Sequence, residues 1–193
     1  MEEKITRNTK ETQIQVGISL NTEGESSIRT GIGFFDHMLT LFAFHGLMTL
    51  EVECNGDLEV DDHHSVEDIG IALGKAFAQA LPETKNYTRY GSCLLPMDET
   101  LARAVVDLSG RPYLVFQAEF NREMVGTLAT EMIEEFFRAF AMNAGITLHL
   151  KVEYGKNDHH KAEALFKAAG RALRQATAPD TQRTGVSSTK GVL

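Results

Sequence analysis

Apolar residues recur along this chain with two different periods, and the two periods follow one another in the same order twice. Every second residue is apolar across residues 48–54 and again across residues 148–154, which predicts one strand in each half. A helical spacing precedes each strand and ends at Gly46 in the first half and at Gly145 in the second, where glycine favours a helix C-terminus. A second amphipathic helix follows each strand. Further alternating strands are predicted at residues 13–20, 101–108 and 113–119.

One motif occurs twice. Asp-His-His-x-x-Glu stands at residues 62–67 and again at residues 158–163, an offset of 96 in a chain of 193 residues. At the same offset the downstream sequence is identical at Ala72 and Ala168, Gly74 and Gly170, Ala76 and Ala172, Gln79 and Gln175, and Ala80 and Ala176. In the preceding helices the offset is 98, which pairs His37 with Glu135. These identities indicate an internal duplication.

The order of the predicted elements indicates the fold class. Each half has two or more strands, then a helix, a strand and a second helix. Because strands and helices do not alternate strictly, they predict an α+β layer fold. We predict two tandem repeats, residues 1–92 and residues 93–193, each formed by a sheet with helices packed on one face.

The repeated motif is suited to binding metal ions. In a helix His63 lies four residues and His64 three residues before Glu67, so either pair can converge on one ion. Adjacent helical residues point about 100° apart, so the two histidines are expected to face different ions. Imidazole with carboxylate suits Mn, Fe, Ni or Zn. We predict two ions, each with ligands from both halves, held by His37, His63, His64, Glu67, Glu135, His159, His160 and Glu163.

Composition and charge narrow the function classes. The formal net charge of −8 argues against nonspecific binding of nucleic acid. Residues 151–193 nevertheless carry a charge of +4 against −12 for residues 1–150, which fits a small anionic ligand. The two cysteines form no disulfide framework, and no apolar run is long enough for a signal core or a membrane helix. We therefore expect a cytoplasmic protein that does not enter a membrane.

Several spaced motifs carry a family resemblance. They are residues 33–39 (Gly-Phe-Phe-Asp-His-Met-Leu), 45–47, 61–68, 157–160 with Glu163, and the tail at residues 188–193 (Ser-Thr-Lys-Gly-Val-Leu). Together they resemble the imidazoleglycerol-phosphate dehydratases of histidine biosynthesis. The resemblance implies a hydro-lyase with two Mn²⁺ ions per active site, a ribosomal-protein-like duplicated fold, and a homo-oligomer of 24 subunits built from trimers. Many relatives have histidine at the position of Glu135, where this chain offers a carboxylate.

The resemblance also implies site residues. Glu11 matches the family's substrate-contacting glutamate and is the expected base, and Glu67 and Glu163 are the other catalytic candidates. The C-terminal segment is expected to help bind the substrate phosphate. The implied substrate-binding residues are Glu11, His37, His45, Arg89, Arg111, Lys167, Ser188, Thr189 and Lys190. Asp61 and Asp62 are expected either to orient the histidine rings or to cap the helix.

The implied reaction is dehydration of D-erythro-imidazole glycerol phosphate to imidazole acetol phosphate. A pair of metal ions is expected to hold the substrate ring as an imidazolate, whose electrons help to expel hydroxide from the neighbouring carbon. Two other functions fit the histidine motifs alone. One is a di-metal hydrolase, and the other is a metal-binding assembly without turnover.

Overall fold

A computed structural model describes residues 3–84, 86–182 and 185–190. Residues 191–193 of the C-terminal motif therefore lie outside the described part of the chain. The elements, in chain order, are β1(Glu3–Asn8), β2(Thr12–Leu20), β3(Ser27–Arg29), α1(Gly33–Gly46), β4(Met48–Gly56), α2(His63–Ala80), β5(Tyr90–Met97), β6(Thr100–Asp107), β7(Tyr113–Gln117), β8(Met124–Val125), β9(Leu128–Ala129), α3(Glu131–Ala144), β10(Thr147–Tyr154) and α4(Asp158–Thr177).

Two four-stranded sheets have the same topology. Their strand orders are β1-β2-β4-β3 and β5-β6-β10-β7. In each sheet the first three strands pair antiparallel and the last strand pairs parallel with its neighbour. The α+β class and the duplicated arrangement of sheet and helices are thus confirmed. The boundary proposed between residues 92 and 93 lies inside β5, whose pairing with β6 begins at Tyr90.

The helices of the two halves pack across each other. α1 packs against α4, and α2 packs against α3. Glycines allow the close approach, because a Cβ added to Gly74 would lie 2.6 Å from the carbonyl oxygen of Phe140, and one added to Gly170 would lie 2.5 Å from that of Phe42. Gly70 and Gly74 face successive turns of α3 in the same order, so α2 and α3 run parallel. Glu163 lies near His37 and Gly170 near Gly46, so α1 and α4 also run parallel. The two first turns of each pair consequently lie side by side.

The end of α1 differs from the expectation. Gly145 adopts the predicted left-handed conformation after α3, with φ of +67°, but after α1 it is Leu47 that does so, with φ of +52°. Gly46 is the last residue of the helix and is buried. Its backbone nitrogen lies 3.0 Å from the place where a Cβ of Gly170 would stand. The prediction of Gly46 as a cap is therefore wrong by one residue, because this glycine serves helix packing.

A phenylalanine cluster fills the space between the halves. Phe35 meets Phe136 edge-on at a centroid distance of 5.2 Å, and Phe166 stacks on Phe136 at 5.4 Å. These three rings come from three different helices and are fully buried. The two repeats therefore share one core. Among the described residues no helix combines the length and apolarity that crossing a membrane requires.

Candidate active site

Three of the predicted metal ligands converge where α1 and α4 begin. The Nε2 atom of His159 lies 3.1 Å and that of His37 lies 3.8 Å from the Oε2 atom of Glu163. Among the described residues, these form the one set of three such groups whose donor atoms all lie within 4.8 Å of one another. Two imidazole nitrogens and a carboxylate oxygen are ligands that Mn²⁺, Fe²⁺, Ni²⁺ or Zn²⁺ accepts. The residues present thus fit a divalent cation.

Local interactions hold this cluster in place. The side chain of Asn157 caps α4 by accepting a hydrogen bond from the backbone nitrogen of His159 at 2.9 Å. Phe34 meets the ring of His159 edge-on at 5.0 Å. Lys167, one turn further along α4, forms an ion pair with Glu163. Contacts within the protein alone therefore hold the side chains of this cluster in place.

Burial and the positive side chains of α4 shift the pKa values of Glu163 and His45. Burial raises the pKa of the Glu163 carboxyl, but the hydrogen bonds and charges of Lys167 and His159 outweigh burial and leave this pKa below its ordinary value. The pKa of His45 is lowered by burial and then by the positive charges of Lys167 and Arg171. Glu163 is thus an anion at neutral pH, and His45 is a neutral imidazole beside a basic stretch of α4.

The corresponding residues of α2 and α3 are drawn together less closely. His63 Nε2 lies 3.9 Å from Glu67 Oε2, and both side chains are close to half exposed. Glu135 forms an ion pair with Arg138 at 3.4 Å. The structure thus brings His63 near Glu67 but does not join Glu135 to them in a tight cluster of described donors.

The second histidine of each motif faces a different set of carboxylates. His64 Nδ1 lies 3.0 Å from Asp57 Oδ2, and His160 Nδ1 lies 2.7 Å from Glu99 Oε2. These hydrogen bonds raise the pKa of both histidines. Backbone hydrogen bonds from Asn157, followed by the one to His160, hold the pKa of the Glu99 carboxyl well below its ordinary value.

The remaining ring nitrogen of each second histidine faces a strand turn. His64 Nε2 lies 3.9 Å from Glu11 Oε1 in the turn between β1 and β2, and His160 Nε2 lies 3.8 Å from Asp98 Oδ2 in the turn between β5 and β6. Glu11, the expected base, is therefore beside the histidine motif of its own half. The two halves present the same arrangement of histidine and turn carboxylate.

Sequence reasoning missed Asp57, Asp98 and Glu99. Their contacts to histidine follow from tertiary structure, and the only available signal was the position of each residue at a predicted strand end. Asp61 accepts a hydrogen bond from the backbone nitrogen of His63 at 2.9 Å, so capping is the right alternative for this residue. Asp62 accepts one from the backbone nitrogen of Ala129 at 2.6 Å.

Several of the implied substrate-binding residues lie together at a second location, where they are suited to binding the substrate phosphate. A cavity of about 980 Å³ is lined by five of them, Arg89, Arg111, Ser188, Thr189 and Lys190. Arg89 donates to Asp107 at 2.7 Å and to the carbonyl oxygen of Ser187 at 2.8 Å, which ties the C-terminal segment to β5. Lys167 lies with the α1/α4 cluster instead.

The two locations are at opposite ends of the second sheet. Arg89 precedes the eight-residue strand β5, whereas Glu99 and His160 lie at its far end. Such a strand spans about 25 Å. The same separation follows from α4, since the backbone nitrogen of Arg89 donates to Ala176 near the end of that helix while His159 is in its first turn. Within one chain the phosphate cavity and the histidines are therefore far apart.

Fold and site together define an α+β protein of two repeats with a cluster of two histidines and a carboxylate where α1 and α4 begin. The sequence model of one family, imidazoleglycerol-phosphate dehydratase, matches residues 30–173. The chain belongs to the imidazoleglycerol-phosphate dehydratase family and is a hydro-lyase.

Relatives match over nearly their full length. The imidazoleglycerol-phosphate dehydratase of Acetivibrio thermocellus is 58% identical over 190 residues, which cover 98% of this chain and 97% of the relative. That of Streptococcus mutans is 57% identical and covers 98% of both chains. The crystal structure of the Staphylococcus aureus enzyme matches with a TM-score of 0.85 at 47% identity, covering 93% of this chain and 100% of the other. The structure of IGPD from Pyrococcus furiosus in complex with (S)-C348 matches with a TM-score of 0.85 at 39% identity, covering 98% and 100%.

Proposed function

We propose that this protein dehydrates D-erythro-imidazole glycerol phosphate to imidazole acetol phosphate in histidine biosynthesis, and that it acts in the cytoplasm. Family membership supports the reaction. The observation that carries the proposal is the convergence of His37, His159 and Glu163, because a substrate with an imidazole ring needs a centre that can hold such a ring. The basic cavity around Lys190 supplies the complementary site for the phosphate.

The proposed cofactor is Mn²⁺, with two ions per active site. His37, His159 and Glu163 would hold one ion, and His63, Glu67 and Glu135 the other, with His64 and His160 as further ligands. When bound, the ions supply Lewis acidity that favours loss of the proton of the substrate imidazole. The pairing of α1 with α4 and of α2 with α3 supports this division, because each pair packs a helix of one half against a helix of the other, and in α1 and α4 it brings His37 to 3.8 Å from Glu163.

The chain's own residues would carry the proton transfers. The carbon next to the ring would lose its hydroxyl group, which leaves as hydroxide and takes up a proton to become water, and Glu11 would take the proton from the following carbon, which gives the enol. Loss of the enol O–H proton and protonation of the carbon next to the ring would then give the ketone. Glu11 stands 3.9 Å from His64 and is about half exposed, so it is accessible to a substrate held at the histidines. Glu67 and Glu163 act on the reaction by holding the ions beside the ring.

The proposed assembly is a homo-oligomer of 24 subunits built from trimers. The separation of about 25 Å between the phosphate cavity and the histidines supports an assembly of several copies. The three-carbon chain between imidazole and phosphate in the substrate does not span that distance. The cavity of one copy is therefore proposed to serve the histidines of another.

A turnover assay on protein whose metals have been counted tests the function. We expect release of imidazole acetol phosphate only when metal is bound. Inorganic phosphate as the product would favour the di-metal hydrolase, and metal uptake without turnover would favour a non-catalytic assembly. Either result would overturn the proposal.

A mixing experiment tests the shared site. Protein carrying His159→Ala and protein carrying both Arg111→Ala and Lys190→Ala are each stripped of metal, mixed and reassembled with Mn²⁺. Sites built from two copies regain activity, because some combine an intact histidine set with an intact phosphate cavity. Activity no higher than that of either variant reassembled alone would show that each site belongs to one chain.

A further inference from the structure

Glu99 binds His160 through a network that leaves its orientation little freedom. Its Oε1 atom accepts hydrogen bonds from the backbone nitrogens of Asn157 at 2.8 Å and Lys156 at 3.0 Å, and from the hydroxyl of Thr100 at 3.1 Å. Its Oε2 atom is thereby directed to His160 Nδ1, at 2.7 Å. One carboxylate thus connects the turn after β5, the start of α4 and the second histidine of the motif.

An ionised carboxylate determines which nitrogen of a neutral histidine carries the proton. It can only accept hydrogen bonds, so the nitrogen facing it must donate. In His160 that nitrogen is Nδ1, which leaves the lone pair on Nε2. This Nε2 atom faces Asp98, with Oδ2 at 3.8 Å, and not the cluster around His159.

The first half reaches the same contact with a residue from another place. Asp57 presents both carboxylate oxygens to His64 Nδ1, at 3.0 and 3.2 Å. Asp57 directly follows β4, whereas Glu99 lies in the turn between β5 and β6. The duplication does not align these two residues, so the two halves bring a carboxylate to the same histidine nitrogen from different places in the repeat. The recurrence of the contact at non-equivalent positions argues for a requirement at the histidine.

We propose that Glu99 and Asp57 are positioning residues that hold His160 and His64 with the proton on Nδ1, so that each presents Nε2 as a metal ligand. The statement about the ion rests on the proposed function, whereas the statement about the proton does not. Metal-ligating histidines commonly have such a carboxylate on the other ring nitrogen, and losing it weakens metal binding about 10- to 100-fold.

The variant Glu99→Gln separates positioning from structural support. The amide oxygen of glutamine can keep the hydrogen bonds from Asn157, Lys156 and Thr100, which places its NH₂ group against His160 Nδ1. That group donates, so it favours the form of His160 with the proton on Nε2. We expect ¹⁵N NMR of histidine-labelled, metal-free protein at about pH 9, well above the ordinary histidine pKa of about 6.5, to show the proton moving from Nδ1 to Nε2. His160→Gln assigns the signal.

Metal binding provides the second measurement. We expect Glu99→Gln and Asp57→Asn to weaken Mn²⁺ binding, followed by the electron paramagnetic resonance of the free ion, about 10- to 100-fold. Glu53→Gln is the matched control, because Glu53 is an exposed carboxylate of β4 that forms an ion pair with Arg29 at 3.4 Å. This control should bind Mn²⁺ as the parent does.

The outcomes distinguish this inference from the proposed function. An unchanged ¹⁵N spectrum in Glu99→Gln would overturn the positioning role even in a fully active enzyme. A moved proton with Mn²⁺ binding within twofold of the parent would overturn the link from tautomer to metal and leave the dehydratase proposal intact. A parent that turns over substrate without Mn²⁺ would overturn the proposed cofactor, while the moved proton would still support the role of Glu99.

Discussion

The two helix pairs hold related candidate metal ligands at different distances from one another. Where α1 meets α4, one donor atom from each of three side chains lies within 4.8 Å of the other two, in His37, His159 and Glu163. Where α2 meets α3, His63 and Glu67 are 3.9 Å apart and Glu135 is engaged by Arg138. The two repeats share the same strand topology, and the difference between these places includes their side chains.

Charge and burial explain the difference. Lys167 neutralises Glu163, whose side chain is 9% exposed, whereas Ile71 stands at the equivalent position in α2 and the Glu67 side chain is 45% exposed. The α2/α3 group also has two carboxylates where the α1/α4 group has one, and like charges repel in the absence of a cation. Duplication thus preserves the arrangement of strands and helices, whereas individual side chains determine whether the candidate metal ligands already lie close together.

The largest expected effect comes from the preformed centre. Replacing His159 by alanine removes a donor from the cluster and should lower kcat by about 1,000-fold or more, because metal assistance contributes several kcal/mol to a transition state. Steady-state kinetics with metal analysis of the same sample checks this. His149→Ala, an exposed histidine on β10, should match the parent. Equal activity in both variants would show that the α1/α4 centre takes no part in the reaction.

The aspartates that open the two motifs should differ in their contribution to stability. The Asp158 carboxylate accepts hydrogen bonds from Lys161 and from the backbone nitrogens of Asn121 and Arg122, all at 2.8 Å, and is buried with the lysine. Asp158→Asn removes the negative charge that balances this buried ammonium group, which keeps its hydrogen bond to the carbonyl oxygen of Glu119, and should cost about 3–5 kcal/mol of unfolding free energy. Asp62→Asn should cost about 1 kcal/mol.

Denaturant unfolding at one fixed subunit concentration measures both aspartate variants. Equal losses of unfolding free energy would show that the two motifs are equally supported, contrary to the comparison.

The contribution of Asp158 should depend on pH in a defined direction. Burial opposes its ionisation, but the hydrogen bond from Lys161 and those from the backbone leave its pKa below the ordinary value. A lowered pKa in the folded state means that the stabilisation is complete above the unfolded pKa of about 3.9 and is lost as pH falls through the folded value. The stability gap between the parent and Asp158→Asn should therefore be constant above about pH 5 and narrow in acid. A gap that widened in acid would contradict the assignment.

The phosphate cavity belongs to the second half and should show an intermediate effect. Arg111 lies two residues before β7, whereas the acidic Glu25 lies two residues before the equivalent strand β3. Arg111→Ala or Lys190→Ala should lower kcat/KM about 10- to 150-fold by removing one charge-assisted phosphate contact. The bound metal should remain, as metal analysis can verify. The control is Lys75→Ala, at an exposed lysine of the first half. If kcat/KM of both cavity variants is within twofold of that of the control, this cavity is not the phosphate site.

The smallest effect is expected from Glu135→His, which gives the α2/α3 group the two histidines and one carboxylate of the α1/α4 group. Imidazole and carboxylate both bind Mn²⁺, so kcat should stay within a few fold of the parent. Glu135→Ala, which offers no donor, should lose the ion of this centre in a chelator titration. Retention of both ions by Glu135→Ala would show that Glu135 is not a ligand.

Most of the regular structure follows from side-chain periodicity. The strands at residues 13–20 and 101–108 and the four long helices were predictable because their apolar positions alternate or recur at helical spacing. Gly46 was misread because a glycine that ends a helix and a glycine that packs against another helix look alike in sequence. The contact with Gly170 exists only once the halves are assembled.

The site was predictable as a set of residues but not as a geometry. Duplication of the histidine motif marked the ligands, and the family resemblance marked the phosphate residues. The separation between Lys190 and the histidines depends on which end of β5 each group occupies, and no residue type encodes that. The contact of Glu99 with His160 likewise joins residues 61 apart in sequence. Asp57 is only seven residues from His64, but its contact depends on how the loop between β4 and α2 folds back.

The crossed packing of the helices constrains how the chain can fold during synthesis. α1 ends at Gly46, and its partner α4 begins only at Asp158, so the 111 residues between them must be made before the two can meet. Contacts at such separation form late. Until then Phe35 and Phe42, fully buried in the finished molecule, have no cover from α4, and an incomplete chain carries an exposed apolar helix face. A ribosome that stops within the second half should therefore release an aggregating fragment instead of one working repeat.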